Sequence, residues 1–214
     1  MSLELRSLSV RFEDGPPLFP PITLTVESGE IVTIMGPSGV GKSTLLDAVA
    51  GHLSPRFRLS GEVFLDGVPM TSRPAEARHI GVMFQDAVLF PHLSLGDNLS
   101  FGLSASVKGR AARRAAVDEA LASAGLAGLY DRDPASLSGG QKSRAALMRT
   151  LLSDPAAVLL DEPFSKLDVA LRQEMRRFTF DHVRERGIPA LFVTHDPDDA
   201  VATQGRVITL AEPG

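Results

Sequence analysis

The 214-residue chain has no cysteine, no long apolar run and no excess of basic residues. The lack of cysteine excludes disulfide bonds, thiolate metal sites and a thiol nucleophile, and suits a cytosolic protein. No apolar run approaches the roughly 20 residues of a membrane-spanning helix, and the charged segment 1–15 resembles neither a signal peptide nor an anchor. The net charge of −4 argues against a general nucleic-acid binder. Any role at a membrane is therefore expected to depend on a partner protein.

Short β-branched runs alternate with helical stretches along most of the chain, which is 43% hydrophobic. The runs IVTIMG, IGVMF, AAVLLDEP and PALFVTHD predict buried strands. Their alternation with helices predicts an α/β fold with a largely parallel central sheet covered on both faces. The run GEVFLDGVPM, with its Asp66-Gly67 pair, predicts a hairpin. We therefore expect an antiparallel β portion in the N-terminal part of the chain.

The region from about residue 86 to residue 141 breaks this alternation, because its sequence is nearly all helical. We interpret 86–141 as a helical subdomain inserted into an α/β core made of 1–85 and 142–214. A chain of this length suits one domain with such an insertion.

The stretch GPSGVGKS fits the phosphate-loop pattern G-x-x-x-x-G-K-[ST] and lies between a predicted strand and a predicted helix. Its glycines let backbone N–H groups converge on phosphate oxygens at a positive helix end. Lys42 suits the β- and γ-phosphates, and the Ser43 hydroxyl suits Mg²⁺. A glycine turn with a surface lysine is the alternative, which the spacing and context disfavour. The predicted nucleotide-binding residues of this loop are Gly36, Pro37, Ser38, Gly39, Val40, Gly41, Lys42, Ser43 and Thr44.

Two adjacent acids, Asp161 and Glu162, end a predicted strand, at the sheet edge where α/β proteins bind ligands. Neighbouring strand residues point in different directions, so the two acids should have different roles. Asp161 suits the Mg²⁺ shell, and Glu162 suits the general base for a water that attacks the γ-phosphate. An acid pair alone would fit a solvated loop, but the phosphate loop upstream favours the catalytic interpretation.

Two more polar residues, Gln85 and His195, follow predicted strands. The Gln85 amide oxygen suits Mg²⁺ or the attacking water, and His195 suits a hydrogen bond to the γ-phosphate. Each residue taken alone also fits an ordinary polar loop position.

The stretch LSGGQ, at 137–141, is a second glycine-rich turn before a helix. Ser138 and Gln141 fit a capping box, which is a purely structural explanation. Two consecutive glycines, however, cost backbone entropy and leave the N–H groups of a positive helix end bare, which favours an anion. Because one nucleotide has little need of two such loops from one chain, we predict that two head-to-tail copies each lend this turn to the other's nucleotide.

The ordered set GPSGVGKST, FQD, LSGGQ, LLDEP, SKLD and VTHD resembles the ATP-binding cassette (ABC) transporter ATPases over essentially the whole chain. The resemblance implies the P-loop NTPase fold, Mg²⁺ as the cofactor, and ATP as the substrate. It implies catalytic roles for Lys42, Gln85, Glu162 and His195, and metal contacts from Ser43, Gln85 and Asp161. It assigns contact with the partner chain's ATP to Ser138, Gly139, Gly140, Gln141 and Asp168.

The resemblance also implies sites outside these motifs. The family stacks adenine on an aromatic residue before the phosphate loop, and Phe12 occupies that place, although it also fits the core of an edge strand. The stretch after Gln85 resembles importer ATPases of the thiamine, iron or YnjD-like type. There it receives a membrane permease, which we expect to contact 85–93. Packing of Leu89, Phe90, Pro91 and Leu93 inside the helical subdomain is the alternative. Lys166 replaces a small residue that the family often has.

We therefore predict an ATP-hydrolysing ABC transporter subunit that dimerises around two Mg-ATP and drives a separate permease, in the import direction. It would be peripheral on the cytoplasmic side of the inner membrane and would not bind nucleic acid. One alternative is a non-transport ABC ATPase that acts on DNA or ribosomes. Another is a nucleotide-binding regulator without turnover, which the presence of Glu162 and His195 disfavours.

Overall fold

The computed structural model describes residues 1–211; residues 212–214, which the predicted domain over 1–214 includes, lie outside the described part. The chain divides into two compact units. The first unit contains Met1–Val82, Ala156–Glu162 and the chain from Phe180 onward. The second unit contains Met83–Pro155 and Pro163–Thr179. Residues 86–141 all belong to the second unit, and the predicted subdomain boundaries stay a prediction.

Nine strands and six α-helices form the described part of the chain. The strands are β1 (Leu3–Phe12), β2 (Ile22–Val26), β3 (Ile31–Met35), β4 (Phe57–Leu65), β5 (Val68–Pro69), β6 (Ile80–Met83), β7 (Ala157–Asp161), β8 (Ala190–Val193) and β9 (Val207–Thr209). The helices are α1 (Lys42–Ala50), α2 (Leu95–Gly102), α3 (Arg110–Ser123), α4 (Gly139–Leu152), α5 (Val169–Glu185) and α6 (Pro197–Ala202). Single 3-10 turns occur at Ala75–Ala77 and Pro134–Ser136.

The N-terminal strands form an antiparallel sheet with the order β2-β1-β4-β5. Asp66 and Gly67 connect β4 to β5 with φ values of 50° and 73°, as a hairpin turn with two left-handed residues requires. In β1 the buried positions shift from Leu3 and Leu5 to Leu8, at the place where the register with β4 shifts. This irregularity keeps leucines on the core side of the sheet. The predicted antiparallel portion and hairpin are confirmed.

The second sheet of five strands has the order β6-β7-β8-β3-β9, and β3 runs parallel to both of its neighbours. The strands β7 and β8 are also parallel. The central strands are apolar and buried nearly throughout, because a parallel sheet is covered on both faces. The predicted α/β fold with a largely parallel sheet is confirmed, and the motifs at 36–44, 161–162 and 195 lie at or just after the carboxyl ends of β3, β7 and β8.

The first unit has one apolar core, in which residues from β1, β2, β3 and β8 pack with α1. The second unit is mainly helical, and α2 packs against both α3 and α4. Its interior contains Leu95, Leu99, Leu121 and Leu147, all at most 1% exposed. Within residues 1–211, no helix has both the length and the apolar character that crossing a bilayer demands.

Candidate functional site

The phosphate loop joins β3 to α1, and two of its glycines have left-handed backbones. The φ angle is 87° at Gly39 and 100° at Gly41, a region that residues with a Cβ disfavour. A Cβ on Gly41 would also lie 3.1 Å from the Phe19 ring. Among the described residues, no side chain caps the N-terminal end of α1, so its first amides are available to an anion. The loop and Glu162 line a cavity of about 230 Å³.

Lys42 lies under this loop and is only 6% exposed. Its Nζ donates to the carbonyl oxygens of Gly36 and Pro37, each at 2.9 Å. An ammonium group has three N–H donors, so one donor remains for a phosphate oxygen. Lys42 thus ties the start of the loop to the helix and keeps a positive charge beside the cavity.

Asp161 and Ser43 come together across 118 sequence positions, with the Ser43 Oγ donating to Asp161 Oδ1 at 3.1 Å. Burial raises the pKa of Asp161; the Ser43 hydrogen bond and Lys42 oppose this effect, while Glu162 and Asp47 add to it. A hydroxyl and a partly buried carboxylate are oxygen ligands that suit Mg²⁺. The pair therefore fits a magnesium site, as the sequence predicts.

Replacing Asp161 with asparagine is expected to raise the Tm of the nucleotide-free protein at neutral pH. Because burial raises the pKa of Asp161, its ionised form costs more in the folded than in the unfolded chain. That cost is fully present above the folded pKa and decreases as the pH falls from the folded toward the unfolded pKa, so the gain in Tm should shrink at acidic pH. Thermal unfolding at neutral and acidic pH measures the gain.

The same variant tests the metal role, because an amide loses the charge that attracts Mg²⁺. Mg-ATP should raise the Tm of the wild type, through binding to the folded state, and raise that of Asp161→Asn less. If Mg-ATP stabilises both proteins equally, Asp161 is not a magnesium ligand.

Glu162 and His195 form the next pair in the first unit. The Nδ1 atom of His195 lies 2.9 Å from Oε2 of Glu162. An ionised carboxylate only accepts hydrogen bonds, so Nδ1 carries the proton and donates. Glu162 has a left-handed φ of 43°, and its N–H donates to the carbonyl oxygen of Val193 at 3.0 Å. The strained backbone turns the glutamate side chain out of the strand, against the histidine and toward the phosphate-loop cavity.

Local hydrogen bonds fix the backbone on both sides of His195. The Thr194 Oγ1 donates to the buried Asp199 at 2.8 Å and accepts from the Asp196 N–H at 3.0 Å. Asp196 in turn caps α6 through the Asp198 N–H. The run THDPDDA therefore forms a hydrogen-bonded turn that positions the backbone of His195.

Gln85 belongs to the second unit, where it contacts Ser165 of the SKLD stretch, a residue for which the sequence predicts no role of its own. Its Nε2 donates to the Ser165 Oγ at 3.0 Å. The next residues, Asp86 and Lys166, form an ion pair. With Nε2 engaged as a donor, the amide oxygen of Gln85 is the atom left to accept or to bind a cation.

Asp168 caps α5 by accepting from the Leu171 N–H at 3.0 Å.

The turn at 138–141 opens α4 as a complete capping box. The Gln141 N–H donates to Ser138 Oγ at 3.3 Å, and the Ser138 N–H donates to Gln141 Oε1 at 3.0 Å. The structural explanation of these two residues is therefore confirmed. A Cβ on Gly140 would lie 2.5 Å from Leu171 Cδ1, whereas a Cβ on Gly139 would meet nothing within 4 Å. Packing explains the second glycine only.

Phe12 ends β1 and is 48% exposed. Its ring lies 4.8 Å from that of Phe57, at 36°. The alternative that Phe12 is a core residue of an edge strand is wrong, because β1 lies between β2 and β4 and the ring is half exposed. Stacking of adenine on Phe12 stays a prediction.

The apolar stretch after Gln85 is divided between interior and surface. Leu89 is buried, Phe90 and Leu93 are partly buried, and Pro91 is exposed. Packing of Leu89 inside the second unit is thus confirmed. A second set of apolar side chains of this unit is exposed: Phe84, Val88 and Phe101.

Arg78 belongs to none of the motifs, yet it is only 4% exposed. Its guanidinium donates to Ala48 and Val49 at the C-terminal end of α1, both within 2.9 Å, and so holds the helix that carries Lys42. A buried arginine has no local sequence signature, so only the fold reveals this role.

Comparisons with known proteins agree with this geometry. The ABC transporter family model matches residues 19–165. The chain belongs to the ABC transporter family. It is 46% identical over 208 residues to "Uncharacterized ABC transporter ATP-binding protein YnjD" of Escherichia coli strain K12, covering 97% of this chain and 94% of YnjD. The predicted family is therefore confirmed, and the chain is an ATP-hydrolysing ABC subunit.

Two further similarities extend the comparison. The iron(III) import ATP-binding protein FbpC of Agrobacterium fabrum is 42% identical over 193 residues, covering 90% of this chain and 54% of FbpC. The chain thus spans about half the length of that relative. The post-hydrolysis dimer of the cassette MJ0796 with ADP and phosphate has a TM-score of 0.79 and 29% identity, covering 97% of this chain and 94% of MJ0796.

Proposed function

We propose that this ABC ATPase binds two Mg-ATP between two head-to-tail copies of itself, each copy supplying its phosphate loop to one nucleotide and its 138–141 turn to the other. The observation that carries this proposal is Gly139, a glycine in the capped first turn of α4 with nothing within 4 Å of its Cβ position. Packing within the chain does not require glycine at position 139. A phosphate of the partner's nucleotide that approaches this position would require it. The similar cassette MJ0796 forms a dimer with bound ADP and phosphate, which supports a dimer for this chain as well.

Within each site, the residues have separate tasks. Bound Mg²⁺ would neutralise charge on the phosphates and would be held by Ser43 and Asp161. Glu162 accepts a proton from the attacking water, and His195 holds the glutamate by donating from Nδ1. Lys42 and the loop amides stabilise the charge that develops on the phosphoryl group. Phe12 stacks on the adenine.

The proposed transport partner of this ATPase is a membrane permease. The second unit has three exposed apolar side chains that suit contact with a partner helix: Val88 within 85–93, Phe84 directly before it, and Phe101, whose ring contacts Phe90. We infer import from the likeness to FbpC, which is named as an import protein. The subunit would then be peripheral, on the cytoplasmic side of the inner membrane.

Replacing Gly139 with alanine tests the shared site. The methyl group has room within the chain, so the Tm should not fall. In the dimer it would occupy the place of the partner's phosphate, and ATP-dependent dimerisation should weaken by about tenfold or more, as overpacking generally costs. Light scattering after gel filtration with Mg-ATP, on the hydrolysis-deficient Glu162→Gln background, measures the dimer.

Gly140→Ala is the matched comparison, because its methyl would meet Leu171 at 2.5 Å. That variant should lower the Tm even without nucleotide. If Gly139→Ala dimerises with the same ATP dependence as its parent, the turn does not contact the partner's nucleotide and the shared site is wrong.

A further inference from the structure

Two loops of the second unit contact each other, and each loop contributes two consecutive residues to the contact. Gln85 donates to Ser165 at 3.0 Å, and Asp86 pairs with Lys166. The contacts thus run in register, from 85–86 on one loop to 165–166 on the other. We call these four residues the clasp.

Each side of the clasp is attached to a different surface. On one side, the Val88 N–H donates to the Asp86 carbonyl at 2.8 Å, and Arg149 holds the Val88 carbonyl at 2.8 Å. Val88 itself is 61% exposed and belongs to the proposed permease surface. Val88 and Asp86 are therefore joined by a backbone hydrogen bond as well as by the chain itself.

On the other side, the clasp continues into the segment that ends at Asp168. Arg172, in the first turn of α5, donates to the carbonyl oxygens of Ser165 and Leu167 at 3.4 and 3.3 Å. Asp168 then caps the same helix. The residues from Ser165 to Asp168 therefore form one short, hydrogen-bonded turn that moves with the start of α5.

We infer that the clasp transmits displacement between the permease surface near Val88 and the turn at 165–168, with the Asp86–Lys166 ion pair as its adjustable element. The inference rests on the proposed function, because it needs the head-to-tail dimer, in which the family resemblance assigns Asp168 to the partner's ATP. The family often has a small residue at the position of Lys166. In this chain the Lys166 charge pairs with Asp86 and so connects the 165–168 turn to the loop after Gln85.

The ion pair is exposed, with 55% of the Lys166 and 64% of the Asp86 side chain accessible. An exposed pair contributes little to folding but enough to change a coupling by about two- to fivefold. Its loss should therefore weaken communication between the two loops while the protein stays folded. High salt should weaken communication in the same way, since it screens exposed charges.

A charge-swap cycle tests the clasp. The chain has no cysteine, so Val88→Cys provides a single thiol for a nitroxide label, on the Glu162→Gln background that allows the ATP dimer to accumulate. Four proteins are compared: the labelled parent, Asp86→Lys, Lys166→Asp, and the double swap. In each, Mg-ATP drives dimerisation, which gel filtration records, and the electron paramagnetic resonance line shape records the response at position 88.

We expect the parent to change its line shape on dimerisation, both single variants to dimerise with a change about two- to fivefold smaller, and the double swap to recover the parent response. A label on the exposed Ala122 of α3, introduced by Ala122→Cys, should respond equally in all four proteins.

Equal responses at position 88 in all four dimers would overturn the clasp while leaving the proposed dimer intact. A double swap as defective as the single variants would also overturn it, since the opposite charges would then not act as a pair. A parent that stays monomeric in Mg-ATP would instead reject the proposed function, and the clasp with it.

Discussion

Replacing Glu162 with glutamine is expected to lower ATP hydrolysis by about 10²- to 10⁴-fold, the usual contribution of a general base. The glutamine oxygen still accepts from the His195 Nδ1, which lies 2.9 Å from the glutamate in the wild type. The site geometry should therefore survive while the basicity is lost. With hydrolysis blocked, Mg-ATP should hold two chains together as a stable dimer. Phosphate release and light scattering measure the two effects.

Two controls separate basicity from position. Glu162→Ala removes both the base and the contact with His195, so it should hydrolyse no faster than Glu162→Gln and should dimerise less well. The exposed Glu119→Gln, on α3, carries the same chemical change and should behave as wild type. If Glu162→Gln stays monomeric in saturating Mg-ATP and hydrolyses it at the wild-type rate, Glu162 is not the base.

Replacing Arg78 with methionine is expected to lower the free energy of unfolding more than any other substitution described above. The buried guanidinium donates to four backbone carbonyls, those of Ala48, Val49, Thr71 and Arg73, at 2.8 to 2.9 Å. Methionine fills much of the space but donates nothing, and each buried acceptor left unpaired costs about 1–3 kcal/mol. A cation at the C-terminal end of α1 also stabilises the helix dipole. We expect a loss of about 3 kcal/mol or more in the free energy of unfolding.

In a chain of this size, that loss corresponds to a fall in Tm of about 6–12 °C. Circular dichroism during heating measures it. The neighbouring Arg73→Met is the control, because the Arg73 side chain is exposed and the charge change is the same. Equal Tm values for the two variants would show that the carbonyl contacts of Arg78 contribute nothing. Burial lowers the pKa of Arg78, but an arginine stays protonated over the physiological range.

The local motifs were predictable because short-range geometry determines them. The phosphate loop needs glycine at left-handed positions such as Gly39, directly before a helix, and this requirement appears in the letters themselves. The Ser138–Gln141 capping box and the Asp66–Gly67 turn are determined in the same way. Each depends on residues within four positions of one another.

For other residues, the sequence predicted the part of the site to which they belong but not the side chain that each contacts. His195 was expected at the γ-phosphate, and in the structure its Nδ1 binds Glu162. Lys166 was noted as a departure from the family, but its pairing with Asp86 could not be read from the sequence. The adjacent glycines 139 and 140 look equivalent in the sequence, yet only Gly140 faces the Leu171 side chain.

The sequence by itself determined the family, the α/β class and the order of the motifs, because these depend on local backbone preferences and apolar periodicity. The tertiary structure decided which distant groups meet: Ser43 with Asp161, Glu162 with His195, and Arg78 with the end of α1. These contacts follow from the strand order β6-β7-β8-β3-β9 and from burial. Both depend on the whole chain, so no short segment of the sequence predicts them.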